Sequence, residues 1–206
     1  MADVAICSAG AKVVRHGRYV AFQMAEVAIP RNHFADSVIL APVDKAGLDA
    51  LIVKGKANPH AVRTLKARTI AEGKFRQLNY IRDLPAHIID EPPALLGDDT
   101  APNPSEEALA ALGSCLSVGI HANAIERGIK IRSLELELEG DINISAVWGA
   151  GATPEAVGFT AVRVAVKIDA DAPQDKLDAL VAHATAWSPV ANTFARPAPL
   201  AVKLAS

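Results

Sequence analysis

The sequence predicts an α+β fold, in which helices and antiparallel strands occupy separate stretches of the chain. Three observations predict it: a long apolar helix after residue 103, two stretches in which apolar and charged residues alternate, and a second helix after residue 173. Such alternation is typical of a strand with one face in a core and one in water. Because strands and helices are segregated along the chain, the α+β class is favoured.

Composition bounds the size and the compartment of the protein. The chain has 206 residues, 50% of them hydrophobic, and a net charge of -2, which suits one domain or one domain with an appendage. We expect an N-terminal extension over residues 1–42 and the main domain over residues 43–206. The absence of a basic stripe argues against nucleic acid or an anionic membrane as a partner. No run approaches the roughly 18 apolar residues of a membrane span and the start lacks a secretory signal, so we expect a cytoplasmic protein.

The first hundred residues predict short elements. Two apolar stretches flank His16-Gly17-Arg18, which is typical of a hairpin turn. Asp44 can cap a short amphipathic helix that ends near Asn58-Pro59. Residues 62–81 then predict two strands joined by a turn at 72–74, and residues 87–90 predict a third.

A loop rich in proline leads into the long helix. Residues 90–102 contain three prolines and a glycine, so this loop is either ordered or mobile. Asn103 can cap the helix, Pro104 suits its first position, and Glu106 completes a capping box. The helix should end at Gly128, after about 36 Å.

Apolar residues cover every side of this helix, which predicts that it is buried on all sides as the core axis. They are Leu109, Ala111, Leu112, Cys115, Leu116, Val118, Ile120, Ala122, Ala124 and Ile125. Gly113 and Gly119 should permit close approach of neighbouring elements.

The second half of the chain predicts a pair of antiparallel strands, a helix and a final strand. Leucines alternate with glutamates over 134–139, and the valines of 162–168 alternate with Arg163 and Lys167, whose charges can pair across the strands. The glutamates are expected to form a solvated face. Residues 141–160, which include Trp148, carry no assignment. The helix that follows residue 173 should pack on the first helix with Trp187 in the core, and residues 200–204 can form a last strand near a sheet edge.

Several of these stretches resemble the OsmC/Ohr superfamily of osmotically inducible and organic hydroperoxide resistance proteins. The likeness is strongest in Asp90-Glu91-Pro92-Pro93, Gly97-Asp98-Asp99-Thr100 and the run from Asn103 to Leu116. The turn at 126–129 and the segment Ser188-Pro189-Val190 extend it over residues 60–206. The resemblance implies an OsmC-like fold, in which the central helix and a second helix pack with antiparallel sheets. It also implies an intertwined homodimer with its active sites at the subunit interface.

In the peroxidase members of that superfamily, a cysteine of the central helix attacks a hydroperoxide and a second cysteine resolves the sulfenic acid. Cys115 matches the attacking cysteine, whereas Ser188 stands at the resolving position and cannot form a disulfide. Cys7, the other cysteine, lies outside the resemblance. The resemblance therefore implies that the two-cysteine cycle is absent from this chain.

The resemblance also implies an arginine that activates the thiol and a glutamate, within an Asn-Pro-Glu triplet, that holds the arginine. Arg76 is the nearest candidate for the arginine, with Arg82 or Lys74 as alternatives. Ser105 stands in place of the glutamate. An apolar site raises the pKa of a thiol unless a cation compensates, so the family's chemistry requires such a residue.

Two functions fit these observations. In the first, Cys115 with Arg76 reduces organic hydroperoxides and an external thiol restores the cysteine. In the second, the protein is a non-catalytic dimer that binds an apolar small molecule in its interface cavity, and Cys115 is an inert core residue. The histidines lack ligand spacing, so we expect no metal, and nothing in the sequence calls for another cofactor.

Overall fold

The computed structural model describes residues 12–16, 19–23, 40–143, 148–149, 157–196 and 198–205. The chain divides into two compact units, Met1–Val38 and Ile39–Ser206. In the first unit, strands β1 (Lys12–His16) and β2 (Tyr19–Gln23) pair antiparallel, with His16 opposite Tyr19. The predicted hairpin is confirmed, although Gly17 and Arg18 of its turn lie outside the described residues, as does Cys7.

The second unit begins with helix α1 (Lys45–Ala57), which starts and ends as predicted. The Asp44 carboxylate accepts hydrogen bonds from the backbone N–H groups of Ala46 and Gly47, at 3.1 and 3.0 Å. No residue of α1 is buried within this chain, and Leu51 of its apolar face is exposed. The cap determines where this helix starts, while Leu48 and Ile52 of its apolar face are half-buried and Leu51 is not.

Three short strands form an antiparallel sheet. They are β3 (Arg68–Gly73), β4 (Arg76–Tyr80) and β5 (His87–Ile89), in the order β3-β4-β5. Lys74 occupies the tight turn between β3 and β4 with a φ of 45°. The predicted turn and the second and third predicted strands are confirmed, whereas the first strand was expected from Val62 and begins only at Arg68, with Val62 and Leu65 exposed.

Helix α2 (Pro104–Glu126) is the long predicted helix. Asn103 Oδ1 accepts from the N–H groups of Ser105 and Glu106, and Glu106 Oε2 accepts from the Asn103 N–H, so the capping box forms. Gly128 follows its end with a φ of 71°, the left-handed conformation that closes a helix.

The expected burial of α2 on all sides is wrong for the single chain. Its buried residues form one stripe at a spacing of about four, while Val118 on another side is 69% exposed. They are Leu112, Gly113, Leu116, Ile120 and Ala124. Among the described helices, α2 alone has the length and apolarity of a membrane span, with a mean hydropathy of 1.5. The stripe that packs in the core accounts for part of that apolarity.

Strands β6 (Ile131–Asn143) and β7 (Gly158–Ala170) pair antiparallel, as predicted, and bring Leu134 opposite Ile168. On the outer face, Lys167 lies 2.5 Å from Glu137 and Arg163 lies 3.1 Å from Glu139. The predicted cross-strand charge pairs are therefore present, although exposed pairs add little stability.

The inner face of this strand pair packs on α2. Two glycines of α2 permit close approach, Gly113 to the strand pair and Gly119 to the helix that follows it. A β-carbon added at Gly113 would lie 2.8 Å from Leu138 Cδ1, and one added at Gly119 would lie 3.5 Å from Ala184 of helix α3 (Gln174–Trp187). The core cluster joins α2, β6 and α3 and consists of Ile120, Ala124, Ile131, Leu180 and Ala184.

The C-terminal part differs from the prediction in three ways. Trp187 was expected in the core but is 76% exposed, at the last position of α3. A second helix, α4 (Pro189–Ala195), starts where only a break was predicted. Residues 200–204 form no strand, because no described strand of this chain pairs with them, and Leu200, Val202 and Leu204 are almost fully exposed.

Candidate functional site

Cys115 lies on α2 beside the buried stripe and is half-buried. The polar partner of its sulfur within the described chain is Ser188, whose Oγ lies 3.2 Å from Sγ and donates to it. The structure therefore brings together Cys115 and Ser188, the two residues that the resemblance matches to the attacking and the resolving cysteine.

Ser188 is held at the junction of α3 and α4. Its side chain is buried, with 3% exposure, and its Oγ caps α4 by accepting from the Ala191 N–H at 3.1 Å. Its backbone N–H donates to Thr185 O and its carbonyl accepts from the Asn192 N–H at 3.0 Å. These hydrogen bonds, with a further one from Asn192 Nδ2 to the Ser188 carbonyl at 2.8 Å, hold the serine in place with its hydroxyl against the sulfur.

Arg76, the predicted cation, is held by side chains of β3 and of the loop that leads to α2. Its Nε donates to Glu72 Oε2 at 2.6 Å, and its Nη1 donates to Thr100 Oγ1 at 2.7 Å. The Thr100 hydroxyl donates in turn to Asp90 Oδ2 at 2.7 Å. Because a hydroxyl carries one proton, the bond to Asp90 leaves a lone pair of Thr100 free for Arg76.

Asp90 anchors this network. Its side chain is fully buried, and its carboxylate also accepts from the N–H groups of Thr100 and Glu91, at 3.1 and 2.8 Å. The hydrogen bonds from Thr100, above all the one from its hydroxyl, lower the pKa of Asp90. Burial, and then the charges of Glu106 and Asp90, raise the pKa of Glu91. Of the two structures left open for residues 90–102, the ordered loop is the one found.

Within one chain, the polar contacts of Cys115 and Arg76 do not link the two residues. Arg76 is bonded at the loop before α2, whereas Cys115 lies about 18 Å along the helix axis from the Asn103 cap. Lys74, one alternative cation, is paired with Asp98. Arg82, the other, lies between β4 and β5 with a φ of 55°.

Asp90 and Thr100 are site residues to which the sequence assigned no role. Both belong to stretches that resemble the superfamily, but a carboxylate and a hydroxyl ten residues apart in an irregular loop produce no periodic pattern. The signal that could have found them is the pairing of acceptor and donor types at the two ends of a proline-rich loop.

Histidine and acidic side chains gather no metal site among the residues that are described. His87 of β5 instead lies 3.2 Å from Glu107 of α2 and ties the small sheet to the helix. At Cys115 the described contacts bring a thiol and a hydroxyl group together.

A groove of about 480 Å³ lies between β7 and α3. Of its eight lining residues six are apolar, and the other two, Gln174 and Asp178, are joined by a hydrogen bond of 2.8 Å. The apolar lining residues are Val164, Val166, Ile168, Leu177, Val181 and Ala182. Cys115 is not among the residues that line it.

Comparison with known proteins shows which family the chain is similar to. The family model described as OsmC-like protein matches residues 97–203, which include Cys115, Ser188 and Thr100. No curated protein matches the chain.

Solved structures match the fold at low identity. An OsmC-like protein from Mycoplasma pneumoniae has a TM-score of 0.57 and 12% identity over 66% of this chain and 89% of that one. An OsmC-like protein of unknown function from Vibrio cholerae has a TM-score of 0.50 and 12% identity over 64% and 94%. An organic hydroperoxide resistance protein of Bacillus subtilis has a TM-score of 0.45 and 21% identity over 65% and 91%. The first two likenesses confirm the predicted OsmC-like α+β fold.

Proposed function

The chain belongs to the OsmC-like protein family, and on that premise we propose that it is a one-cysteine, thiol-dependent peroxidase that reduces organic hydroperoxides at Cys115. The observation that carries the proposal is the 3.2 Å contact between Ser188 Oγ and Cys115 Sγ. It puts a buried donor against the sulfur at the place where two-cysteine members carry their resolving thiol.

The reaction follows from the chemistry of a thiolate. The Cys115 sulfur attacks one oxygen of the hydroperoxide, the O–O bond breaks, and the leaving alkoxide takes a proton to become an alcohol. The sulfur gains the other oxygen as a sulfenic acid, and the hydroperoxide has accepted two electrons.

Reduction requires an external thiol, because the Ser188 hydroxyl cannot form a disulfide. One thiol condenses with the sulfenic acid to a mixed disulfide and releases water. A second thiol then attacks the mixed disulfide, releases Cys115 and leaves as the oxidised reductant. Two external thiols are therefore consumed for each hydroperoxide.

We also propose a homodimer in which Arg76 of the partner subunit supplies the cation for the thiolate. The apolar residues Leu51, Val53 and Val118 support it, since this chain leaves them exposed on α1 and α2. A solution mass of two 21.6 kDa chains is expected from light scattering, and a monomer would contradict the proposal. A cytoplasmic location, where external thiols stay reduced, completes the proposal.

Intact-mass measurement tests the activity. Reduced protein is treated with one equivalent of cumene hydroperoxide in the presence of dimedone, which traps sulfenic acids. We expect one dimedone adduct in the wild type and in Cys7→Ser, and none in Cys115→Ser. The absence of an adduct that depends on Cys115 would refute the peroxidase.

The groove between β7 and α3 favours a second candidate function, the binding of an apolar small molecule. Its six aliphatic lining residues, together with Gln174 and Asp178, fit a ligand with a hydrocarbon body and a hydrogen-bonding group. Under this function, Cys115→Ser leaves the binding of a fluorescent fatty acid unchanged, whereas Val181→Asp, which changes a lining residue of the groove, abolishes it. Unchanged binding in Val181→Asp would contradict this function.

A further inference from the structure

We propose that Ser188 is a second catalytic residue, whose hydroxyl donates a hydrogen bond to the Cys115 thiolate and holds the sulfur in its charged, nucleophilic form. This inference rests on the proposed function and specifies how that site is activated. It assigns to Ser188 a role that differs from resolution of the sulfenic acid, the role of a cysteine at that position.

Ser188 can donate to the sulfur while its oxygen caps α4. A serine hydroxyl has one proton and two lone pairs. The Ala191 N–H points at Oγ from 3.1 Å and occupies a lone pair. The hydroxyl proton is therefore free for the sulfur at 3.2 Å.

The bond favours the thiolate over the thiol. A thiolate sulfur has no proton and a full charge, so it accepts a hydrogen bond strongly, whereas a neutral thiol sulfur is a weak acceptor. A donor that binds the charged form more strongly shifts the equilibrium towards that form.

The surroundings of Ser188 keep the donor in place. The side chain is 3% exposed, so water competes little for its proton, and a hydrogen bond in such a site is stronger than one in water. The backbone bonds to Thr185 and Asn192 hold the residue at the α3–α4 junction. The donor therefore needs no rearrangement when the thiol ionises.

The capping of α4 does not account for the contact with Cys115. A helix cap needs only an acceptor, which asparagine or aspartate also supplies, whereas the bond to the sulfur needs a donor. Two substitutions separate these roles. Ser188→Gly and Ser188→Ala both remove the donor, but glycine is the better helix cap of the two. Ser188→Thr retains both the donor and the cap.

The test measures the rate of Cys115 alkylation by iodoacetamide against pH, in full-length protein that carries Cys7→Ala so that Cys115 is its one thiol. We expect the pH of half-maximal rate to rise by about one to two units in both Ser188→Gly and Ser188→Ala, the size of one charged hydrogen bond. Ser188→Thr should remain close to the wild type. Oxidation of Cys115 by cumene hydroperoxide at pH 7 should slow about tenfold or more in the first two variants.

Two outcomes overturn the proposal. One is an unchanged pH midpoint in both Ser188→Gly and Ser188→Ala. The other is a shift that follows capping, seen in Ser188→Ala but not in Ser188→Gly. Both comparisons stand even if Ser188→Thr does not fold. If alkylation shifts as expected but the wild type does not react with the hydroperoxide, the peroxidase is refuted while the role of Ser188 in ionising the thiol is retained.

Discussion

The substitution Ser188→Cys should convert the one-cysteine site into a two-cysteine site. The oxygen that the new sulfur replaces already lies 3.2 Å from Cys115 Sγ, and a thiol is slightly longer than a hydroxyl. When Cys115 is oxidised to a sulfenic acid, the new thiol lies within reach and condenses with it to form a disulfide with loss of water.

The stability gained on oxidation can be estimated from the separation of the two residues. The crosslink joins positions 73 residues apart. The chain-entropy relation for a closed loop of that length gives about 4 kcal/mol of stabilisation as an upper value. For a chain of this size, that corresponds to a rise in melting temperature of roughly 10 °C between the reduced and oxidised forms.

Three measurements test whether Ser188→Cys forms the disulfide with Cys115. After one equivalent of cumene hydroperoxide, the variant should lose about 2 Da, the mass of the two hydrogens removed when a disulfide forms, and should give no dimedone adduct and no free thiol besides Cys7. Its oxidised form should melt above its reduced form. With a dithiol such as dihydrolipoamide as reductant, repeated turnover should be restored by reduction of the intramolecular disulfide.

A matched control introduces the thiol at another position, on α4, the helix that Ser188 caps. Thr193 is exposed on α4, where its Oγ1 donates to Pro189 O at 2.9 Å. Thr193→Cys should therefore keep the dimedone adduct on Cys115 and form no crosslink. The reasoning is refuted if Ser188→Cys retains the adduct like this control, because the two side chains would then not be in contact in the protein.

Two further pairs of variants test the supports of the site. Thr100→Val should lower the stability of the protein, and Thr100→Ser should not, because the hydroxyl holds the buried Asp90 carboxylate. Since the pKa of Asp90 is lowered in the folded protein, the stability that Asp90 contributes is present above about pH 4 and is lost as the pH falls below that value. Melting curves from about pH 2 to 7 should therefore show that the stability lost in Thr100→Val becomes smaller in acid. A loss of stability that does not depend on pH would contradict this. Gly119→Ala should raise the free energy of unfolding by about 0.5–1 kcal/mol through helix propensity, because the added carbon meets Ala184 at 3.5 Å. In Gly113→Ala, overpacking should cost about 1–3 kcal/mol and cancel that gain in the free energy of unfolding, because the added carbon would lie 2.8 Å from Leu138 Cδ1. If urea titrations find Gly113→Ala more stable than Gly119→Ala, Leu138 moves aside freely.

Local signals in the sequence were sufficient to locate most elements. The capping box at Asn103 and the left-handed Gly128 bound α2 as predicted. The alternation of leucine and glutamate determined which face of β6 packs on α2, and the opposite charges of Lys167 and Glu137 agreed with the antiparallel pairing. These signals act between residues close in sequence or directly opposite on neighbouring strands, so a pattern can record them.

Three of the incorrect predictions share one physical cause. Val118 and Trp187 were expected to be covered and residues 200–204 to form a strand near a sheet edge, because an apolar pattern indicates which residues avoid water. A pattern does not indicate which surface covers them. In this chain α3 and the β6–β7 pair cover only one stripe of α2, and no described strand edge meets residues 200–204.

The same holds for the candidate site, where the residues could be named from the sequence but their hydrogen-bond partners could not. Cys115 and Ser188 could be named as candidates because each lies in a stretch that resembles the superfamily; the structure shows them in contact, and their roles stay a prediction. Ser105 stands where the family's glutamate would hold the arginine, yet Arg76 is bonded to Glu72 and to Thr100. The choice of hydrogen-bond partners across a loop depends on geometry rather than on spacing along the sequence. The loss of a glutamate at position 105 therefore does not show that Arg76 lacks a carboxylate partner, since Glu72 supplies one.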